Sequence, residues 1–168
     1  MIINENLSTQ DKIILSAKEI ASRFSSAFID NLGLVDGENY TFSANLNLSD
    51  GVIASVIIFD SDYKIQSGTS TFTAQERNGF TFTYKEGVTS RLACYAGVAG
   101  STNGISASYT EIKLEPGDQM TPYLPHKTNV KDENQDVFLA GGIPRGISTL
   151  DLKVVDIDQL SLGVLYVS

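Results

Sequence analysis

The side chains best suited to hold a polar ligand are Tyr63, Tyr95 and Tyr109, together with Arg77 and Arg91. An aromatic ring can stack on the C–H face of a pyranose while neighbouring polar groups bond its hydroxyls. A guanidinium offers a planar fork of donors to vicinal hydroxyls or to an anionic substituent. The chain has no Trp, so any sugar platform must use Tyr or Phe. Tyr63 falls in a turn, and Tyr95 and Tyr109 alternate against apolar neighbours, a pattern that predicts exposure for all of them. Phe42, Phe72, Phe80 and Phe82 alternate with Thr or Ser and are expected in the core.

Catalysis finds little in these residues. The one histidine, His126, sits in Leu124-Pro125-His126-Lys127, and no Gly-x-Ser-x-Gly nucleophile motif is present. Most acidic residues occupy turns, where solvation explains them, and no pair suggests a glycan-cleaving dyad. Gly141 to Gly146 is rich in glycine but lacks the Lys-Ser/Thr that would follow in a phosphate cradle, so it reads as a turn. The chain is therefore read as no enzyme. Asp60 and Asp62 could supply part of an oxygen shell for calcium, although the following residues lack the EF-hand pattern and capping of a hairpin turn explains both carboxylates. Cys94, the only cysteine, reads as a small core residue.

Composition narrows the partners. The 168 residues carry a formal charge of −8, so the surface repels phosphate backbones and no nucleic-acid partner is expected. No apolar run approaches the ~18 residues of a membrane span, and the start lacks the basic and apolar regions of a secretory signal, so no membrane insertion is expected.

The elements that must position these side chains are strands. Tyr40 to Leu48 alternates strictly, and Val52 to Phe59 is a nearly unbroken apolar run. With Ser49-Asp50-Gly51 between them they are expected to form an antiparallel hairpin. Tyr63 to Gln66 lies between the turns Asp60-Ser61-Asp62 and Ser67-Gly68, and further strands are expected at Thr69 to Ala74, Phe80 to Tyr84, Thr89 to Tyr95 and Ile105 to Leu114. In the last, Ile112 and Leu114 should point inward and Tyr109, Glu111 and Lys113 outward. The stretch Ser8 to Ile29 fits either a helix opened by Ser8 to Asp11 or a strand from about Ile20 to Ile29, and the Ser-rich, aromatic composition favours the strand. Short strands without helical crossovers predict an all-β fold, an antiparallel two-sheet β-sandwich or barrel. A polar connection from Lys127 to Asp136 separates a main domain, 1–128, from a linker and short C-terminal segment, 129–168, with further strands expected between Val137 and Val167. So short a segment is expected to dock on the main domain or on another chain.

The run Ile112-Lys113-Leu114-Glu115-Pro116-Gly117, followed by Thr121-Pro122-Tyr123-Leu124-Pro125, resembles the closing strand and tail of jelly-roll carbohydrate-binding modules of phage tail and baseplate proteins. Gly37-Glu38-Asn39-Tyr40-Thr41-Phe42-Ser43 is similar to that family's first core strand, and Gly87 to Leu92 to the strand entering its binding face. The likeness extends from about Ile20 to His126. Tyr123 stands where the family often has tryptophan, and the residues after Asp132 fall outside the module. The resemblance implies a jelly roll that binds bacterial cell-surface saccharide and aids adhesion in phages of Gram-positive bacteria. It also implies a virion location in the tail or baseplate after synthesis in the host cytoplasm, with other tail proteins as partners and a possible homo-oligomer through the C-terminal segment. The motif itself is mainly structural and hands over no binding residue. The alternative is an assembly component that contacts only other baseplate proteins.

Overall fold

The computed structural model of the chain describes residues 3–64 and 66–127, with Phe28 described by its backbone alone. The strands expected between Val137 and Val167, and the docking segment 129–168, lie outside the described residues. Among the described residues there are eight strands: β1 Lys12–Leu15, β2 Phe24–Phe28, β3 Asn39–Leu48, β4 Ile53–Phe59, β5 Gln66–Thr73, β6 Arg77–Thr83, β7 Arg91–Tyr95 and β8 Ala107–Pro116. They form two four-stranded antiparallel sheets, ordered β1-β8-β3-β6 and β2-β7-β4-β5. Consecutive strands alternate between sheets, save for the β4–β5 hairpin. This is the jelly-roll winding of two Greek keys, and the all-β sandwich expectation holds.

The alternation in β3 explains why the sheets face each other. Tyr40, Phe42, Ala44 and Leu46 project from one side of β3, and Ala54, Val56 and Ile58 from one side of β4; all join a single core with Phe72, Phe82, Leu92, Cys94 and Leu114. Phe42 and Phe72 stack across the sheets with ring centroids 5.7 Å apart. The expected hairpin between β3 and β4 is therefore corrected. β3 pairs with β6 and β8, whereas β4 pairs with β5 and β7. With the two strands in opposite sheets, the apolar face of each covers the other across the core.

At the N-terminus the sequence reading is corrected in part. The strand expected from Ile20 begins only at Phe24. Before that point the buried Thr102 takes the backbone's bonds: its Oγ1 donates to the Ile20 carbonyl at 2.5 Å and accepts from the Arg23 N–H at 2.7 Å. The segment that could have been helical instead supplies β1, which buries Ile13 and Leu15 against β8.

Strand β8 departs most from a plain alternation. Asn45 opposes Thr110 and Ser43 opposes Lys113, so two steps along β3 match three along β8. The extra residue is a β-bulge, and Glu111 within it has φ 51°. Ala107 and Tyr109 point inward before the bulge, and Ile112 and Leu114 point inward after it. The expected outward placement of Tyr109 is thus wrong, because the bulge reverses the parity on which it depended.

Candidate functional site

Because Leu92 and Cys94 enter the core, Arg91, Ala93 and Tyr95 face outward on β7. Register then places Phe24 beside Tyr95 and Ser26 beside Ala93 on one flank, with Ile57 beside Ala93 and Phe59 beside Arg91 on the other. Thr69 and Thr71 continue the same face on β5, opposite Ile57 and Ser55. The outer face of β2-β7-β4-β5 is therefore aromatic at Phe24 and Phe59, small at Ser26 and Ala93, and lined by threonine hydroxyls along one margin. Ile57, Ala93 and Tyr95 form a second, shallow apolar cluster beneath it.

Tyr63 reaches over this face from the β4–β5 loop. Its ring lies 5.6 Å from that of Phe24 and 5.7 Å from that of Phe59. Its hydroxyl sits 2.5 Å from Ser26 Oγ and accepts a 2.8 Å hydrogen bond from Arg91 Nη1. The guanidinium carbon also lies 4.6 Å from the ring centroid, a cation–π contact, and Arg91 Nε donates to the Ser61 carbonyl at 2.9 Å. Tyr63 is thus gripped at both ends of its side chain yet keeps 38% exposure, beside Phe24 at 36%. The loop is braced by its first residue. The Asp60 carbonyl accepts the Tyr63 N–H at 3.3 Å, and Asp60 Oδ1 accepts the Lys64 N–H at 2.7 Å. Asp62 pairs with the Lys64 ammonium at 3.1 Å. Among the described residues no group of three or more His, Cys, Asp or Glu gathers as metal ligands.

Of the expected site residues, the structure brings Tyr63, Arg91 and Tyr95 together. Tyr95 lies on the expected face but is buried to 6% exposure under Phe24, whose ring centroid is 5.0 Å away. Its expected exposure is corrected, because the alternation cannot report a neighbouring strand's ring. Burial, with Tyr63 nearby, raises its pKa above the tyrosine value. Tyr109 is fully buried, and its hydroxyl donates to the Tyr95 carbonyl at 2.7 Å. It belongs to the core, not to a binding face. Arg77 belongs to the other sheet, where it donates to the Glu111 carbonyl and to Ser43 Oγ, both at 2.9 Å, and so ties down the bulge. Phe24, Ser26, Phe59 and Ser61 were not anticipated as members of the site. The Phe24-Ser25-Ser26 alternation carried a signal, but only cross-strand register shows what it faces.

The block from Lys113 to Pro125 proves to be a polar clasp on the outer face of the first sheet. Lys113 and Glu115 have fully buried side chains and form an ion pair at 3.0 Å. Thr121 joins them: its N–H donates to Glu115 Oε1 at 2.9 Å, its hydroxyl donates to Glu115 Oε2, and Lys113 Nζ donates to Thr121 Oγ1 at 2.5 Å and to the Pro122 carbonyl at 3.0 Å. Gly117, at φ 98°, turns the chain back so that its carbonyl accepts from Thr41 Oγ1 at 2.9 Å. Burial lowers the Lys113 pKa and the Glu115 carboxylate opposes that shift. These groups are satisfied by one another and present nothing to a ligand.

No protein-family model matches the chain, and no curated protein matches it. Solved structures similar to it include the N-terminal cellulose-binding domain of Cellulomonas fimi β-1,4-glucanase C, at 9% identity and TM-score 0.43, covering 66% of this chain and 82% of that one. The CBM22-1 xylan-binding domain of Paenibacillus barcinonensis Xyn10C is similar at 13% identity and TM-score 0.41, covering 65% and 74%. The BppUct-A-L tripod from the baseplate of bacteriophage Tuc2009 is similar at 14% identity and TM-score 0.45, covering 77% and 61%.

Proposed function

We propose that this chain is a non-catalytic saccharide-binding module whose site is the outer face of β2-β7-β4-β5. The observation that carries the reading is Tyr63, an exposed ring fixed in place by Ser26, Arg91, Phe24 and Phe59. A ring immobilised before binding loses little conformational freedom when a pyranose stacks on it, and Arg91, Ser26 and the threonines of β5 lie where hydroxyls can be bonded. A shallow, wet face of this kind binds weakly per site, and adhesion then depends on many copies acting together.

The resemblance of the Lys113–Pro125 block supplies the setting. The module is carried on a phage tail or baseplate and binds wall saccharide of a Gram-positive host. With a net charge of −8 the surface suits a neutral polysaccharide better than an anionic teichoic acid. The test is binding of the full chain, clustered on beads, to extracted wall polysaccharide, beside Tyr63→Ala and Arg91→Ala. Saturable binding that free polysaccharide competes away and both variants weaken is the expected result. Absence of binding even at high avidity would replace this reading with an assembly role among tail proteins.

A further inference from the structure

We propose that β5 is a self-pairing edge through which two copies of this chain join their second sheets. β5 is one of the two end strands of its sheet and, as Gln66-Ser67-Gly68-Thr69-Ser70-Thr71-Phe72-Thr73, carries no charge and no proline. Those are devices that commonly keep an edge strand from pairing. The tail after β8 lies instead on the outer face of β6, an end strand of the first sheet: Met120 lies against Gly79, and Thr81 Oγ1 donates to the Asp118 carbonyl at 3.3 Å.

Among the described residues no strand lies beside β5 on that edge, and the direction of its backbone groups follows from bonds at the strand's end. Thr73 turns both groups away from β4, its N–H donating to Asn78 Oδ1 at 2.7 Å and its carbonyl accepting from Asn78 Nδ2 at 2.8 Å. The Ala74 N–H goes the other way, to the Val52 carbonyl at 2.8 Å. On β4, the Ser55 N–H donates to the Gly97 carbonyl at 2.9 Å, away from its register partner Thr71. Antiparallel alternation then directs the N–H and C=O of Thr69 and Thr71 outward, at two exposed residues. The Asn78 side chain closes the ladder at Thr73 by standing in for a strand, so the open stretch has a defined end.

The open stretch is complementary to itself. A two-fold axis through Ser70 sets Thr69 of each copy against Thr71 of the other, and each such pair exchanges two backbone hydrogen bonds. Threonine faces threonine across the seam, a favourable cross-strand pair. The result is a continuous eight-stranded sheet with both Tyr63 faces on one side, the arrangement that bivalent binding requires.

The test is sedimentation of the full chain over a range of concentrations, with Thr71→Pro and Thr71→Lys. Proline removes an outward N–H without taking a bond from β4, and lysine adds a gatekeeping charge if the proline variant fails to fold. The expected result is association in units of two, with a dissociation constant that either folded variant raises about tenfold or more. A wild-type chain that stays monomeric at high concentration overturns the proposal. So does an assembly that both variants leave unchanged, which would place the contact elsewhere on the chain.

Discussion

A lysine ammonium taken wholly out of water is tolerated only when its protons meet acceptors, and Lys113 meets three: Glu115, Thr121 and the Pro122 carbonyl. Lys113→Met leaves the Glu115 carboxylate buried without its counter-charge and is expected to cost about 3–5 kcal/mol, read from the urea midpoint at unchanged slope. Thr121→Val removes a neutral member and should cost less, about 1–3 kcal/mol. The arginines divide in the opposite sense from their equal standing in the sequence. Arg77 donates to groups of the bulge, so Arg77→Ala should lose about 1.5–3 kcal/mol of stability while saccharide binding is unchanged. Arg91 holds Tyr63 through exposed bonds, so Arg91→Ala should weaken binding and cost less stability, about 0.5–1.5 kcal/mol. If Arg77→Ala abolished binding in a folded protein, the division between the two sheets would be wrong.

At the scale of elements, the bulge in β8 decides which side chains reach the core. Glu111 at φ 51° occupies a region that a β-branched residue enters only with strain. Glu111→Val is therefore expected to destabilise the fold by about 1–3 kcal/mol, whereas Glu111→Gly keeps it, by comparison of denaturation midpoints. Legibility in the sequence divides along the same line. Period-two alternation located β3, β6 and β7 and the inward rings of Phe42 and Phe82, since a half-buried strand must write its burial into its residues. The same rule misplaced Tyr109, since an inserted residue has no compositional mark when it is a glutamate rather than a glycine. Pairing of β3 with β4 was misjudged for a related reason: a Ser-Asp-Gly turn fits both a hairpin and a crossing between sheets, and only the common core distinguishes them. The site was half legible. Tyr63 and Arg91 announced themselves by type, whereas Phe24, Ser26 and Phe59 became partners through register alone.

Over the whole molecule, the response to alkali follows from which protons the core retains. Burial raises the Cys94 thiol above its ordinary value of 9.0 and the Tyr109 hydroxyl above 10.0, so the folded chain keeps both protons at pH values where the unfolded chain releases them. A folded pKa raised above the unfolded one gives stability that is complete below the unfolded value and is lost as pH rises past it. Lys113 has the reverse sign. Its lowered pKa lets the unfolded chain bind more protons, so that group alone favours the fold as pH climbs toward 10.5. Tyr84 and Tyr95 are raised in the same sense as Tyr109, and Arg77 is lowered like Lys113, so four acids stand against two bases and the balance in alkali is a net loss. From pH 9 the Cys94 loss is opposed by Lys113, and stability is expected to fall steeply once pH passes 10 and the buried tyrosines join, each unopposed proton contributing up to about 1.4 kcal/mol per pH unit. Cys94→Ala removes the thiol and so should make the slope between pH 9 and 10 more favourable than in the parent chain, whatever the cavity costs in absolute stability, because the readout is the slope. Urea midpoints of both proteins between pH 8 and 11 make the comparison. Identical slopes between pH 9 and 10 would mean that Cys94 ionises as readily in the folded chain as in the unfolded one, contrary to its complete burial between the sheets.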